Sequence, residues 1–174
     1  DQGAEVIKVE PPGWGDGVRY LGASRGGVSA IFSLINRNKK SLAVNLKHPD
    51  GRAILMRLVA TADGVMHNYR PGKMERLGLG YASLREHFPD LIYLAISGMG
   101  DVGPYAGQKV YDYVIQGLSG ILDAQGTHNR FEMVRTIIYD KVTALTAAQA
   151  MTAGLYKKAV GRGGTEIKVS MLDS

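Results

Sequence analysis

The chain has 174 residues, of which 45% are hydrophobic and 21% are charged, and its formal net charge is +5. This composition is typical of a globular protein and excludes a disordered one, and the absence of cysteine excludes disulfides and a thiol nucleophile. No apolar run reaches the roughly 20 residues of a membrane span, and residues 1–10 lack a signal-peptide pattern, so we expect a cytoplasmic protein. The positive charge favours an anionic partner, such as nucleic acid, a phosphorylated cofactor or an acidic metabolite.

Apolar alternation and turn residues predict strands that alternate with helices along the chain. The strands are predicted at 4–10, 40–47, 63–69, 91–100 and after the turn that opens 161–174. The helices are predicted at 48–62, 71–80, 81–90, 109–126 and 140–160. Residues 11–27 are predicted to form a long loop, and residues 30–38 a strand or a short helix. This order predicts an α/β fold with a doubly wound, Rossmann-like, mostly parallel sheet that has helices on both faces.

Basic residues cluster near the ends of two predicted strands, where such sheets bind ligands, so the loops after residues 10, 47, 68 and 97 are candidates. One cluster comprises Arg70, Lys73 and Arg76, at the start of a predicted helix. The other comprises Arg37, Lys39 and Lys40 before a strand, with Lys47 behind it. A helix N-terminus attracts anions, so the clusters suit a ligand with several phosphates; the alternative is a solvated basic surface.

Asp140 precedes an alanine-rich run with apolar residues at helical spacing. The local pattern favours Asp140 as the N-cap of that helix, and a chemical role stays open at this point. Asp112 and Asp140 each follow a tyrosine, and nothing in the local sequence pairs the two carboxylates. The four histidines lack metal-ligand spacing, and the glycine-rich segments 22–27 and 161–165 do not fit the dinucleotide fingerprint, so we expect no metal.

Five motifs, in this order, resemble the family III CoA-transferases, the group that includes formyl-CoA transferase. They are GAEVIKVEPPGWGD, NRNKKSLAVNLKHPDGR, NYRPGKMERLGLGY, LIYLAISGMGDVGPYA and YDYVIQGLSGI. The resemblance runs nearly from end to end. It implies that residues 1–174 are one fragment of the family's large domain, without the family's N-terminal strand and helix and its small C-terminal domain. It further implies an enzyme that transfers CoA between an acyl-CoA and a small carboxylic acid, as a homodimer or higher homo-oligomer.

The resemblance also assigns residues to roles. The family aspartate that attacks the acyl-CoA thioester, forms a mixed anhydride and releases the CoA thiolate corresponds to Asp140. The implied contacts with coenzyme A are Val44, Asn45, Leu46, Lys47, Asn68, Tyr69, Arg70, Arg76, Lys109, Val110, Tyr111 and Asp112. One position departs from the pattern, because Pro11 stands where formyl-CoA transferase has an arginine.

Three alternatives remain. The related α-methylacyl-CoA racemases carry a catalytic histidine where this chain has Tyr111, and a phenol is a poor base near neutral pH. A second alternative is a non-catalytic CoA-binding or interaction module, whose exposed apolar surface would favour self-association. A nucleic-acid binder fits the pI of about 9.4, but the aromatic residues are not interleaved with the basic ones as a stacking platform requires.

Overall fold

The computed structural model describes residues 3–174, which form two compact units that divide between Leu58 and Val59. The first unit contains two parallel strands, a short hairpin and two helices. In chain order these are β1 (Val6–Glu10), a 3-10 turn (Gly17–Tyr20), β2 (Ser24–Arg25), β3 (Val28–Ser29), α1 (Ala30–Asn36), β4 (Lys39–Ala43) and α2 (Pro49–Val59), which ends at the boundary. Strands β1 and β4 are parallel, with a register that runs from Val6 opposite Lys39 to Glu10 opposite Ala43.

A buried carboxylate fixes the long loop of the first unit. Glu10 is 4% exposed and accepts hydrogen bonds from Arg19 Nε at 2.8 Å, from Arg19 Nη2 at 2.9 Å and from the Asp16 amide at 2.8 Å. The Arg19 guanidinium lowers the pKa of Glu10 from 4.5 to about 2. Gly15 has a φ of +66°, and a Cβ there would lie 2.8 Å from Glu10 Oε2, so the loop requires glycine at this position.

The second unit is a three-stranded parallel sheet with helices. Its elements are β5 (Gly64–His67), α3 (Lys73–Arg76), α4 (Tyr81–His87), β6 (Ile92–Ser97), α5 (Asp112–Leu118), α6 (Ile121–Gln125), α7 (Ile138–Ala159) and β7 (Thr165–Ser170). The strand order is β5-β6-β7, so β6 is central, and its first three residues, Ile92, Tyr93 and Leu94, are almost completely buried, as expected for a central parallel strand. Helix α7 packs on this sheet through a cluster in which Leu94, Ala147 and Val169 are buried.

The α/β class with parallel strands and helices is confirmed, and several details differ from the sequence-based expectation. The described strands form two parallel sheets and a short antiparallel hairpin instead of one sheet. The segment 30–38, predicted as a strand or a short helix, forms α1, whose N-cap Ser29 accepts a hydrogen bond from the Phe32 amide. Within the described residues, no helix combines the length and apolar character needed to cross a membrane.

Candidate active site

Asp140 lies in the first turn of α7 and is not its N-cap. The prediction of an N-cap at Asp140 is wrong, because the helix begins at Ile138 and the N-cap is Ile137, whose side chain makes no capping hydrogen bond. The Asp140 side chain is accessible to solvent. Even so, burial and the nearby charge of Asp112 raise the pKa of its carboxyl group. Asp140 is therefore a reachable carboxylate in an environment that disfavours its charge.

Asp112 and Asp140, which local sequence did not pair, are in contact. The Asp140 amide donates to Asp112 Oδ2 at 3.0 Å, and Gln116 Nε2 donates to Asp112 Oδ1 at 2.6 Å. Asp112 and Gln116 are only 4% and 1% exposed. Gln116 was not among the predicted site residues, although an Asp and a Gln four residues apart on one helix are a recognised hydrogen-bonding pair.

A cleft of about 670 Å³ lies at the carboxyl ends of β5, β6 and β7. Tyr69 and Arg70, both predicted CoA contacts, line it together with Ser97 and Ser170, which end β6 and β7. Ligands of parallel sheets bind at this edge, and the structure places this part of the predicted site there.

His67 organises the loop that carries Tyr69 and Arg70. Its Nδ1 accepts a hydrogen bond from the Tyr69 amide at 3.1 Å, and its Nε2 lies 2.9 Å from the hydroxyl of the buried Tyr93. Burial lowers the pKa of His67, which favours the neutral ring. Because Nδ1 is an acceptor here, we assign the ring proton to Nε2.

The predicted phosphate contact Arg76 is exposed on the four-residue helix α3. Its Nη1 lies 3.0 Å from the position that a Cβ at Gly72 would occupy, and Gly72 has a φ of +80°. Asn68 is exposed beside this segment, and the Lys73 ammonium lies 3.8 Å from the centre of the Tyr69 ring. A side chain at position 72 would be strained by the left-handed backbone, and the flexible end of Arg76 would have to shift to make room for it.

The segment of predicted contacts that comprises Lys109, Val110, Tyr111 and Asp112 passes the end of β6. A Cβ added to Gly98 would lie 2.6 Å from Val110 Cβ, so the two backbones approach closely just after that strand. Tyr111 is 65% exposed and stacks on Tyr113 at 5.8 Å between ring centres. Its neighbour Asp112 is buried, so only part of this segment faces solvent.

The remaining predicted contacts, Val44, Asn45, Leu46 and Lys47, follow β4 in the first unit. Val44 is buried, whereas Asn45 and Lys47 are exposed, and Asn45 Oδ1 accepts from the Lys47 amide at 3.0 Å. Lys39 and Lys40 lie at the opposite, amino end of β4, with Lys40 paired to Glu5 at 2.6 Å. The basic residues at the start of β4 are therefore separated from Lys47 by the length of that strand.

Among residues 3–174, no group of three or more His, Asp or Glu side chains is arranged to hold a metal ion.

The family of the chain follows from comparison of its sequence with those of known proteins. The chain belongs to CoA-transferase family III, whose sequence profile matches residues 1–174.

Known relatives are substantially longer than this chain. It is 41% identical to the human succinyl-CoA:glutarate CoA-transferase over 177 residues, which covers 100% of this chain and 40% of that protein. It is 39% identical to the acetyl-CoA:oxalate CoA-transferase of Acetobacter aceti, covering 99% of this chain and 45% of that one. A CAIB/BAIF family protein from Brucella suis has a similar crystal structure, with a TM-score of 0.90 at 36% identity over 98% of this chain and 47% of that protein. The chain thus spans a little under half the length of these relatives.

Proposed function

We propose that this chain carries the CoA site and the acyl-accepting carboxylate of a family III CoA-transferase, which moves CoA from an acyl-CoA to a carboxylic acid. The proposal depends on the position of Asp140, whose carboxylate is accessible and lies in the first turn of the 22-residue helix α7. The pKa of this carboxyl group is raised. A carboxylate is a weak nucleophile that must be positioned and partly desolvated, and the burial that raises the pKa of Asp140 supplies part of that desolvation.

In the proposed first step, an Asp140 oxygen attacks the thioester carbonyl of the acyl-CoA. The carbon–sulfur bond breaks, CoA leaves as the thiolate, and a mixed anhydride remains on Asp140. For net CoA transfer, the thiolate then attacks the aspartyl carbonyl, which frees the first acid and leaves a CoA thioester on Asp140. An acceptor carboxylate attacks the carbonyl of that thioester and releases the CoA thiolate, which leaves a second mixed anhydride on Asp140. The thiolate then attacks the carbonyl of the acceptor, which gives the new acyl-CoA and frees the Asp140 carboxylate.

The basic loops supply the proposed binding energy for CoA. Arg70 and Arg76, with Asn68 and Tyr69, are the proposed diphosphate contacts, because charge-assisted hydrogen bonds from Arg to phosphate are strong. Residues 109–111 are proposed to lie along the thioester arm.

The names of the two relatives guide the choice of acid. Glutarate and oxalate are both dicarboxylic acids, so a short dicarboxylic acid is the acceptor that we propose to test first.

Calorimetric titration of the chain with CoA and acetyl-CoA tests the binding part of the proposal. We expect micromolar binding that Arg76→Ala weakens about 10-fold or more, since a hydrogen bond to a charged group contributes about 1.5–3 kcal/mol. Arg162→Ala is the matched control, because Arg162 is exposed just before β7, at the amino end of that strand. If both variants lost the same affinity for CoA, the loss would reflect the change in net charge and not a specific contact of Arg76. If the wild type did not bind CoA, a CoA site in this chain would be refuted.

A further inference from the structure

Helix α7 obtains a capping hydrogen bond from another helix. The first four amides of an α-helix lack partners within the helix, and an N-cap side chain usually accepts from one of them. The N-cap of α7 is Ile137, which has no side-chain acceptor, and the amide of the third helical residue, Asp140, instead donates to Asp112 Oδ2 at 3.0 Å. Asp112 belongs to α5, 28 positions earlier in the chain.

Gln116 holds this cap in place, and its own orientation is fixed by the segment that leads into α7. Its Oε1 accepts from the Val134 amide at 2.9 Å, so its Nε2 must be the donor to Asp112 Oδ1 at 2.6 Å. The same Nε2 lies 3.1 Å from the carbonyl oxygen of Thr136 and 3.3 Å from that of Val134. Gln116 thus ties α5 to residues 134–136 directly, and to the start of α7 through Asp112.

Both oxygens of Asp112 accept hydrogen bonds, a pattern that an asparagine amide in its place would not satisfy, because the amide nitrogen does not accept. Asp112 is only 4% exposed and both of its oxygens already accept hydrogen bonds within the chain, so little of its side chain is accessible to a ligand. The CoA contact that the family resemblance implies for Asp112 stays a prediction, and these hydrogen bonds suggest a structural role beside it.

We propose that Asp112 and Gln116 form a positioning pair that fixes the first turn of α7 and thereby orients the Asp140 carboxylate. The relevance of this pair to catalysis rests on the proposed function, but its existence does not. The negative charge of Asp112 also acts on Asp140, whose pKa is raised by burial and by Asp112. The next cation along the helix, Lys141, is directed to the Thr136 hydroxyl at 2.6 Å. A carboxylate with a higher pKa is a better nucleophile, provided that it stays ionised at neutral pH.

Two measurements on the complete chain test the pair without CoA or turnover. The first is the pH titration of the Asp140 carboxyl carbon by NMR, assigned with Asp140→Asn. The second is hydrogen exchange of the Asp140 amide. In Asp112→Asn we expect the Asp140 pKa to fall and amide exchange to accelerate about 10-fold or more, as the loss of a charge-assisted hydrogen bond implies. The control Asp123→Asn removes an exposed carboxylate of α6 and should change neither quantity.

A second variant separates charge from anchoring. Gln116→Ala keeps the Asp112 charge and removes its anchor, so amide exchange at 140 should accelerate while the Asp140 titration moves less than in Asp112→Asn. If Asp112→Asn does not fold, Gln116→Ala decides the matter by the same exchange measurement. Unchanged exchange and titration in a variant that retains its circular dichroism spectrum would overturn the proposal. Since neither readout involves CoA, this failure is distinguishable from a failure of the proposed function.

Discussion

The position of α7 on the sheet depends on a glycine in the middle of the helix. A Cβ at Gly154 would lie 2.7 Å from Ile92 Cγ2 and 3.0 Å from Ile167 Cδ1, well inside the contact distance of about 3.5–4.0 Å between carbons. Ile92 is completely buried and cannot withdraw. Gly154→Ala should gain about 1 kcal/mol in helix propensity and lose about 2 kcal/mol to overpacking, a net loss of about 1 kcal/mol in unfolding free energy.

Gly117 in α5 is the matched control, because its Cβ would meet nothing closer than Leu122 Cδ1 at 4.0 Å. Gly117→Ala should therefore stabilise the chain by up to about 1 kcal/mol, so that the two variants differ by about 2 kcal/mol in urea denaturation. A Gly154→Ala variant as stable as Gly117→Ala would refute the close docking of α7 on β6 and β7.

Two ionisable groups and a second glycine give further expectations. Glu10→Gln should lower the free energy of unfolding by about 2 kcal/mol at neutral pH, because Arg19 loses its carboxylate partner. The pKa of Glu10 is lowered from 4.5 to about 2, so the difference in stability between wild type and variant should disappear as the pH falls through this range. Acid denaturation curves that run parallel for the two proteins would contradict this expectation. The pKa of His67 is lowered from 6.5, so the stability that comes from its neutral ring is fully present above pH 6.5 and is lost as the pH falls below it. Urea denaturation at a series of pH values should therefore show a larger drop in unfolding free energy on acidification for wild type than for His67→Gln. Gly72→Ala should cost about 1–2 kcal/mol in urea denaturation, because a side chain strains the left-handed backbone at φ +80°, and a variant as stable as the wild type would contradict that conformation.

The order of strands and helices was predictable because the spacing of apolar residues within each short segment indicates its type of secondary structure. The buried strand β6 and the helix α7 follow from apolar patterns over 91–100 and 140–160, with ends that shift by a few residues. The start of α7 was mispredicted because its capping oxygen comes from α5, and local capping rules cannot detect a partner 28 residues away.

The candidate site was predictable only in part, for a similar reason. Tyr69 and Arg70 follow a strand, so the general rule for parallel sheets places them at the ligand-binding edge. The importance of Gln116 depends on its hydrogen bonds to residues 134–136, and no pattern within α5 reveals them. Asp112 and Asp140 were left unpaired at the sequence level because their contact is created by the packing of α5 against α7.

Acylation of Asp140 tests the central claim most directly. The chain is incubated with acetyl-CoA, rapidly quenched in acid, and digested for mass spectrometry, in parallel with Asp140→Asn and Asp123→Asn. The proposed function predicts one acetyl or CoA adduct on the peptide that contains Asp140 in wild type and Asp123→Asn, and none in Asp140→Asn. An adduct on another residue, or a chain that binds acetyl-CoA without any adduct at Asp140, would contradict it.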